Sequence, residues 1–87
     1  MKFKLLLPEL IKMSGESGKI SIDFELGNDA DLKIREHLNK RYDLLFCNGQ
    51  SKGYVQCFHN DDVVENLKNI ILKNNDVIEV ITSMSGG

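Results

Sequence analysis

Tryptophan is absent from these 87 residues, proline occurs once and cysteine only twice. Each shortage removes a class of explanation. Cys47 and Cys57 are too few for a disulfide framework or a cysteine-ligated zinc or iron–sulfur site. Both are expected as free thiols packed as small hydrophobes. The single proline, Pro8, leaves no proline-rich linker, and the length suits one domain with a small core. Long apolar runs are missing too: Leu5-Leu6-Leu7 is stopped by Pro8 and Glu9, far short of a signal or membrane segment. Nor does one charge dominate. Eleven basic residues stand against thirteen acidic ones, for a net charge of −2, and the basic residues are scattered rather than striped. Nucleic acid is therefore disfavoured as a partner, and a soluble cytoplasmic protein with no membrane partner is expected.

Motifs for autonomous chemistry are likewise missing. There is no Ser/His/Asp order, no Cys–His pair, no phosphate loop and no nucleotide fingerprint. His37 and His59 are the only histidines, and Asp61-Asp62 beside His59 is ordinary hairpin chemistry without known ligand spacing. The expectation is no metal, no bound cofactor and no enzyme in its own right.

What the chain does have is clear periodicity. Phe3, Leu5 and Leu7 alternate with Lys2, Lys4 and Leu6, which predicts a strand ending at Pro8. After the turn residues Gly15-Glu16-Ser17-Gly18, Ile20, Ile22, Phe24 and Leu26 alternate with polar residues, predicting a second strand in an antiparallel hairpin. Gly27 closes that strand, and Asn28 or Asp29 caps a helix whose stripe is Ala30, Ile34 and Leu38, continued toward Tyr42. Leu44 to Gly53 reads as a loop with a short strand at most. Tyr54 to Phe58 reads as a strand, Asn60-Asp61-Asp62 as a turn and Val63-Val64 as a short return strand. Val64, Leu67 and Ile71 have helical spacing, and Asp76 to Ile81 forms the last strand after an Asn-tolerant turn. A hairpin, a helix and further strands on the same sheet describe an α+β domain with a mixed sheet and one main helix on one face. The expected division is a domain over 1–84 and a tail over 85–87.

The tail is the strongest functional clue. Glycine is about 7% of average composition, so a terminal pair arises by chance in roughly one chain in two hundred. Most chain ends simply fray. A tail without β-carbons also suits a tunnel too narrow for side chains, where it would present its carboxylate to an active site. Chemistry at Gly87 is thus a hypothesis, with Gly86 supplying reach and Ser85 a small spacer.

Ile71 to Ile81 followed by Ser85-Gly86-Gly87 resembles the closing segment of the ubiquitin-like sulfur carriers. That family holds the small subunit of molybdopterin synthase (MoaD) and the thiamine sulfur carrier (ThiS). Leu45-Phe46 and Gly53-Tyr54-Val55 through Phe58-His59-Asn60-Asp61 also look like its middle hairpin. Two departures stand out: Asn75 occupies the usual place of a glycine, and Thr82-Ser83 replaces a stiffening proline pair. The second departure predicts a tail that is more mobile when unbound and costs more entropy to order on docking.

The resemblance implies a β-grasp fold and an acyl-adenylate route. An adenylating enzyme of the ubiquitin-activating type would use ATP to activate Gly87, and a sulfur donor would then leave a thiocarboxylate there. The length favours the molybdopterin branch, with the synthase large subunit as second partner. A thiamine or tRNA-thiolation carrier, a protein modifier conjugated through Gly87, and a pure interaction module are the alternatives. Strand parity puts Val77, Glu79 and Ile81 on the outer face and Ile78 and Val80 on the core face. Val77 and Ile81, with Tyr54 or Phe58 alongside, would form a docking surface unless the 44–53 loop covers them.

Overall fold

The computed structural model describes residues 1–12 and 14–83. β1 (Lys2–Leu6) and β2 (Lys19–Asp23) form the expected antiparallel hairpin, Phe3 opposite Ile22 and Leu5 opposite Ile20. The two-residue alternation sends Phe3, Leu5 and Ile22 into the core and leaves Lys4 and Ser21 exposed. A short 3-10 turn at Glu9–Ile11 carries the connection and buries Ile11.

β2 stops at Asp23, so Leu26 is not the fourth inward residue of that strand. It is 85% exposed. The chain turns at Glu25 to Asn28, closed by Glu25 N–H donating to Asn28 Oδ1 and by Gly27 at a φ of 92°. Asp29 then accepts from Asp31 N–H at 2.8 Å and caps α1 (Ala30–Leu38). Ala30, Ile34 and Leu38 are all buried against the sheet, as their spacing requires.

The helix breaks at Asn39, whose φ is 54°. After a 3-10 turn, α2 (Tyr42–Leu45) continues the stripe with buried Tyr42 and Leu45. The region expected as a loop is therefore more ordered: α2 runs into a small hairpin of β3 (Phe46–Cys47) and β4 (Gln50–Ser51). Phe46 is buried and Cys47 is exposed, contrary to the expectation for that cysteine, because neighbouring strand residues face opposite ways. Cys57 is buried as expected, and burial pushes its thiol up to about 12.

β5 (Val55–His59) and β6 (Asp62–Val63) follow, then β7 (Val77–Thr82). Between β6 and β7 the helical spacing is only partly realised. A 3-10 turn at Leu67–Asn69 buries Leu67, after which the chain is extended, so Ile70 and Leu72 are buried while Ile71 is 79% exposed. A period of two, with Ile71 bridged to Asp29, replaces the period of 3.6.

The main sheet has the order β2-β1-β7-β5-β6. Only β1 and β7 run parallel, side by side at the centre, as a crossover through the helix layer permits. Two central strands, one main helix and the small hairpin enclose one core that includes Phe3, Leu5, Ile34, Leu38, Leu45, Phe46, Leu67 and Ile78. This is the α+β, β-grasp architecture.

Candidate functional site

β7 is aligned by the turn before it. Asn75 takes a φ of 70°, which asparagine tolerates, and the buried Asp76 carboxylate collects hydrogen bonds from that turn and the next. Lys73 N–H donates to Oδ2 at 2.8 Å, Asn60 Nδ2 donates to Oδ1 at 3.0 Å, and His59 Nε2 lies 2.8 Å from Oδ2. Asn60 Oδ1 in turn accepts from Val77 N–H. Burial alone would push the Asp76 carboxyl up, but hydrogen bonds from Asn60, His59 and Lys73 outweigh it and hold the group below its ordinary value. His59 thus engages Asp76 across the sheet end rather than its neighbours Asp61 and Asp62. His37 lies elsewhere, 3.7 Å from Glu16.

From this anchor the strand presents two faces. Ile78 and Val80 are buried, Val77 and Glu79 are half-buried, and Ile81 is 43% exposed. Register brings β5 alongside: Phe58 pairs with Glu79 and Gln56 with Ile81. On the other flank Leu6 pairs with Glu79 and Lys4 with Val77. Val63, 70% exposed, pairs with Phe58 from β6.

The outer face therefore carries Val63, Phe58, Val77, Ile81 and Leu6 around Glu79, with Lys4 and Gln56 on the same side. A shallow depression of about 250 Å³ lies between Phe58, Asn60, Asp61, Val77 and Glu79. Leu6 and Val63 were not singled out from the sequence. The parity of Leu6 against Lys2 and Lys4 was a usable signal, whereas the place of Val63 depends on the β5–β6 pairing. The 44–53 segment forms α2, β3 and β4, and it leaves Ile81 exposed.

Tyr54 stands at the end of this band, where β7 leaves the sheet. Its side chain donates from the hydroxyl to the Leu44 carbonyl at 2.5 Å. Its own carbonyl accepts from Ser83 N–H at 2.8 Å and from Ser83 Oγ at 3.2 Å. Thr82 is paired with Val55 inside the ladder. The approach to the tail is thus held as far as Ser83 by hydrogen bonds that a proline at 83 could not donate, while the mobility expected of the tail itself concerns residues beyond those described. Ser85, Gly86 and Gly87 lie outside the described residues.

Among the described residues no group of three or more His, Cys, Asp or Glu side chains stands where it could hold a metal ion. No helix among them is long and apolar enough to cross a membrane. The site offers a surface and an exit point.

Comparison with known proteins gives one match. The ThiS family matches residues 27–87, well over half of the chain and all of the segment from the helix cap onward. No curated protein and no solved structure matches the chain. The mixed sheet, the single main helix and the match over residues 27–87 together lead to one conclusion: the chain belongs to the ThiS family of small ubiquitin-like sulfur carriers, which are carrier proteins rather than enzymes.

Proposed function

We propose that Gly87 is the reactive residue and that it delivers sulfur as a thiocarboxylate in molybdopterin biosynthesis, for molybdenum or tungsten cofactors. The observation that carries this reading is the family match running through the terminal Gly86-Gly87. At neutral pH a terminal carboxylate, with an ordinary pKa near ~3.5, is ionised and a poor electrophile. A partner adenylating enzyme joins it to the α-phosphate of ATP with release of pyrophosphate, giving an acyl–AMP anhydride. Sulfur at the sulfide level adds to that carbonyl and AMP leaves, so one oxygen is replaced by one sulfur. The carrier contributes no general base. It contributes the outer face for docking, through Ile81, Val77 and Phe58, with Tyr54 beside the exit, and the glycines for reach.

The apolar band, exposed at Val63 and Ile81 and half-buried elsewhere, suits a carrier that is held first by the activating enzyme and then by the large subunit of molybdopterin synthase. The same chemistry serves a second acceptor, that of thiamine synthesis, with which the family match agrees equally well. Incubation with an adenylating enzyme, ATP and sulfide should convert the C-terminal peptide to a species carrying sulfur in place of oxygen. Oxidation of Met84 adds nearly the same nominal mass, so the product should also be trapped with iodoacetamide, which alkylates a thiocarboxylate and not a sulfoxide. Transfer to the molybdopterin precursor with the synthase large subunit supports the first acceptor. Transfer only in the thiamine reaction replaces it, and an unmodified Gly87 in both overturns the carrier chemistry.

A further inference from the structure

β2 is one edge of the main sheet, and among the described residues no other strand lies beside it. Its main-chain polar groups alternate between β1 and that free edge. Phe24 N–H donates to Met1 C=O and Leu7 N–H to Gly18 C=O, both at 2.8 Å, and these bonds set the phase of the hairpin. Ile20 and Ile22 therefore aim their N–H and C=O groups at β1, while Lys19, Ser21 and Asp23 aim theirs outward. Lys19 N–H is taken by Ser17 Oγ at 3.2 Å. The Lys19 carbonyl and both main-chain groups of Ser21 and Asp23 face the edge.

Proteins commonly guard such edges with like charges that repel an incoming strand. This edge is built differently: its sequence, Lys19-Ile20-Ser21-Ile22-Asp23, carries opposite charges at equal distances on either side of Ser21. We infer that β2 pairs antiparallel with β2 of a second copy of the chain, about a two-fold axis at Ser21.

In that register Ser21 N–H reaches the second copy's Ser21 C=O, and Asp23 N–H reaches its Lys19 C=O, each bond made twice by symmetry. The outward-pointing groups meet in phase. The same register sets Lys19 beside the second copy's Asp23 on the solvent face, and Ile20 beside its Ile22 on the core face. Asp23 is loosely held within its own chain, 3.9 Å from Lys2 with both side chains well exposed, so it is free to turn to Lys19. Ile20, only partly buried in one copy, gains cover. The contact is isologous, as a two-fold pair demands. β1 separates β2 from β7, so the outer band and the exit at Ser83 stay open in both copies. A lone strand edge falls short of the ~1,200 Å² of a standard interface, which makes this a weak dimer.

Sedimentation equilibrium of the full chain at low salt, from about 0.05 to about 2 mM, tests it. The apparent mass should rise from 9.9 kDa toward twice that value, and added salt should lower it. Lys19→Glu and Asp23→Lys should each abolish the rise, and the double exchange Lys19→Glu with Asp23→Lys should restore it. Ser21→Pro removes an outward N–H without touching the β1 ladder, so it should stay folded by circular dichroism and remain monomeric. Amide exchange at Ser21 should slow with concentration while that at Ile22 stays slow throughout. A monomer at every concentration, association unchanged by Ser21→Pro, or failure of the double exchange to restore it overturns the inference.

Discussion

Asp76 shows how much one side chain does here. Its two oxygens join the β5–β6 turn to the start of β7 through Asn60, His59 and Lys73 N–H, and so aim the strand that carries the tail. Because its folded pKa is depressed below the ordinary 3.8, the ionised form is the one the fold favours. Its contribution is complete above the unfolded value and is lost as pH falls through the lower folded one. Asp76→Asn keeps the shape but turns an amide N–H₂ toward donors. It should cost about 2 kcal/mol in urea unfolding at neutral pH, and the gap from the unsubstituted protein should narrow as the pH falls below that of the ordinary carboxylate. A gap that is constant with pH would remove ionised Asp76 as its source.

At the scale of elements, α1, α2 and the β3–β4 hairpin are tied by one buried polar knot. The Tyr42 hydroxyl donates to Asp31 Oδ1 and accepts from Gly49 N–H at 2.7 Å, while Arg35 bonds both Tyr42 and Asp31 and lies over the Tyr42 ring. Burial and the bond to Asp31 raise the Tyr42 pKa, which keeps the hydroxyl protonated. Gly49 itself sits at a φ of 88°, and a β-carbon there would lie 2.5 Å from Asn66 Oδ1. Tyr42→Phe should leave the Gly49 N–H and one Asp31 oxygen short of a partner and destabilise the protein by about 1–3 kcal/mol. Hydrogen exchange at Gly49 should quicken selectively. If exchange quickens evenly over the whole chain instead, the hairpin is not held by this hydroxyl.

For the whole molecule the consequential property is the division of β7 into a core face and an outer face. Ile81 is exposed enough that a charge there leaves the core intact, yet it sits in the apolar band next to the exit. Ile81→Asp should keep the unfolding midpoint within error and weaken binding of the adenylating enzyme by at least about tenfold, or ~1.4 kcal/mol. Urea unfolding checks the first half and calorimetric titration of the folded variant the second, and undiminished affinity would take Ile81 out of the interface.

Much of this was legible in the chain itself because local rules and the tertiary fold agree. Phe3, Leu5 and Ile22 alternate, Ala30, Ile34 and Leu38 recur every four, and Ile78 and Val80 face the core; period decides each of these before any partner is known. Where an element is only a few residues long, period has too little to act on. Ile71 and Leu26 therefore went outside instead of inside, and Cys47 lay opposite its expected face. Sequence alone determined the hairpin, the helix, the polarity of the last strand and the terminal glycines, since these depend on residue type and spacing within one segment. Tertiary structure decided which distant segments meet: β7 between β1 and β5, Val63 beside Phe58, Ser83 on Tyr54 and Tyr42 on Gly49. Those contacts follow from closing one core while pairing the main-chain groups it buries, a condition on the whole chain that no single window contains.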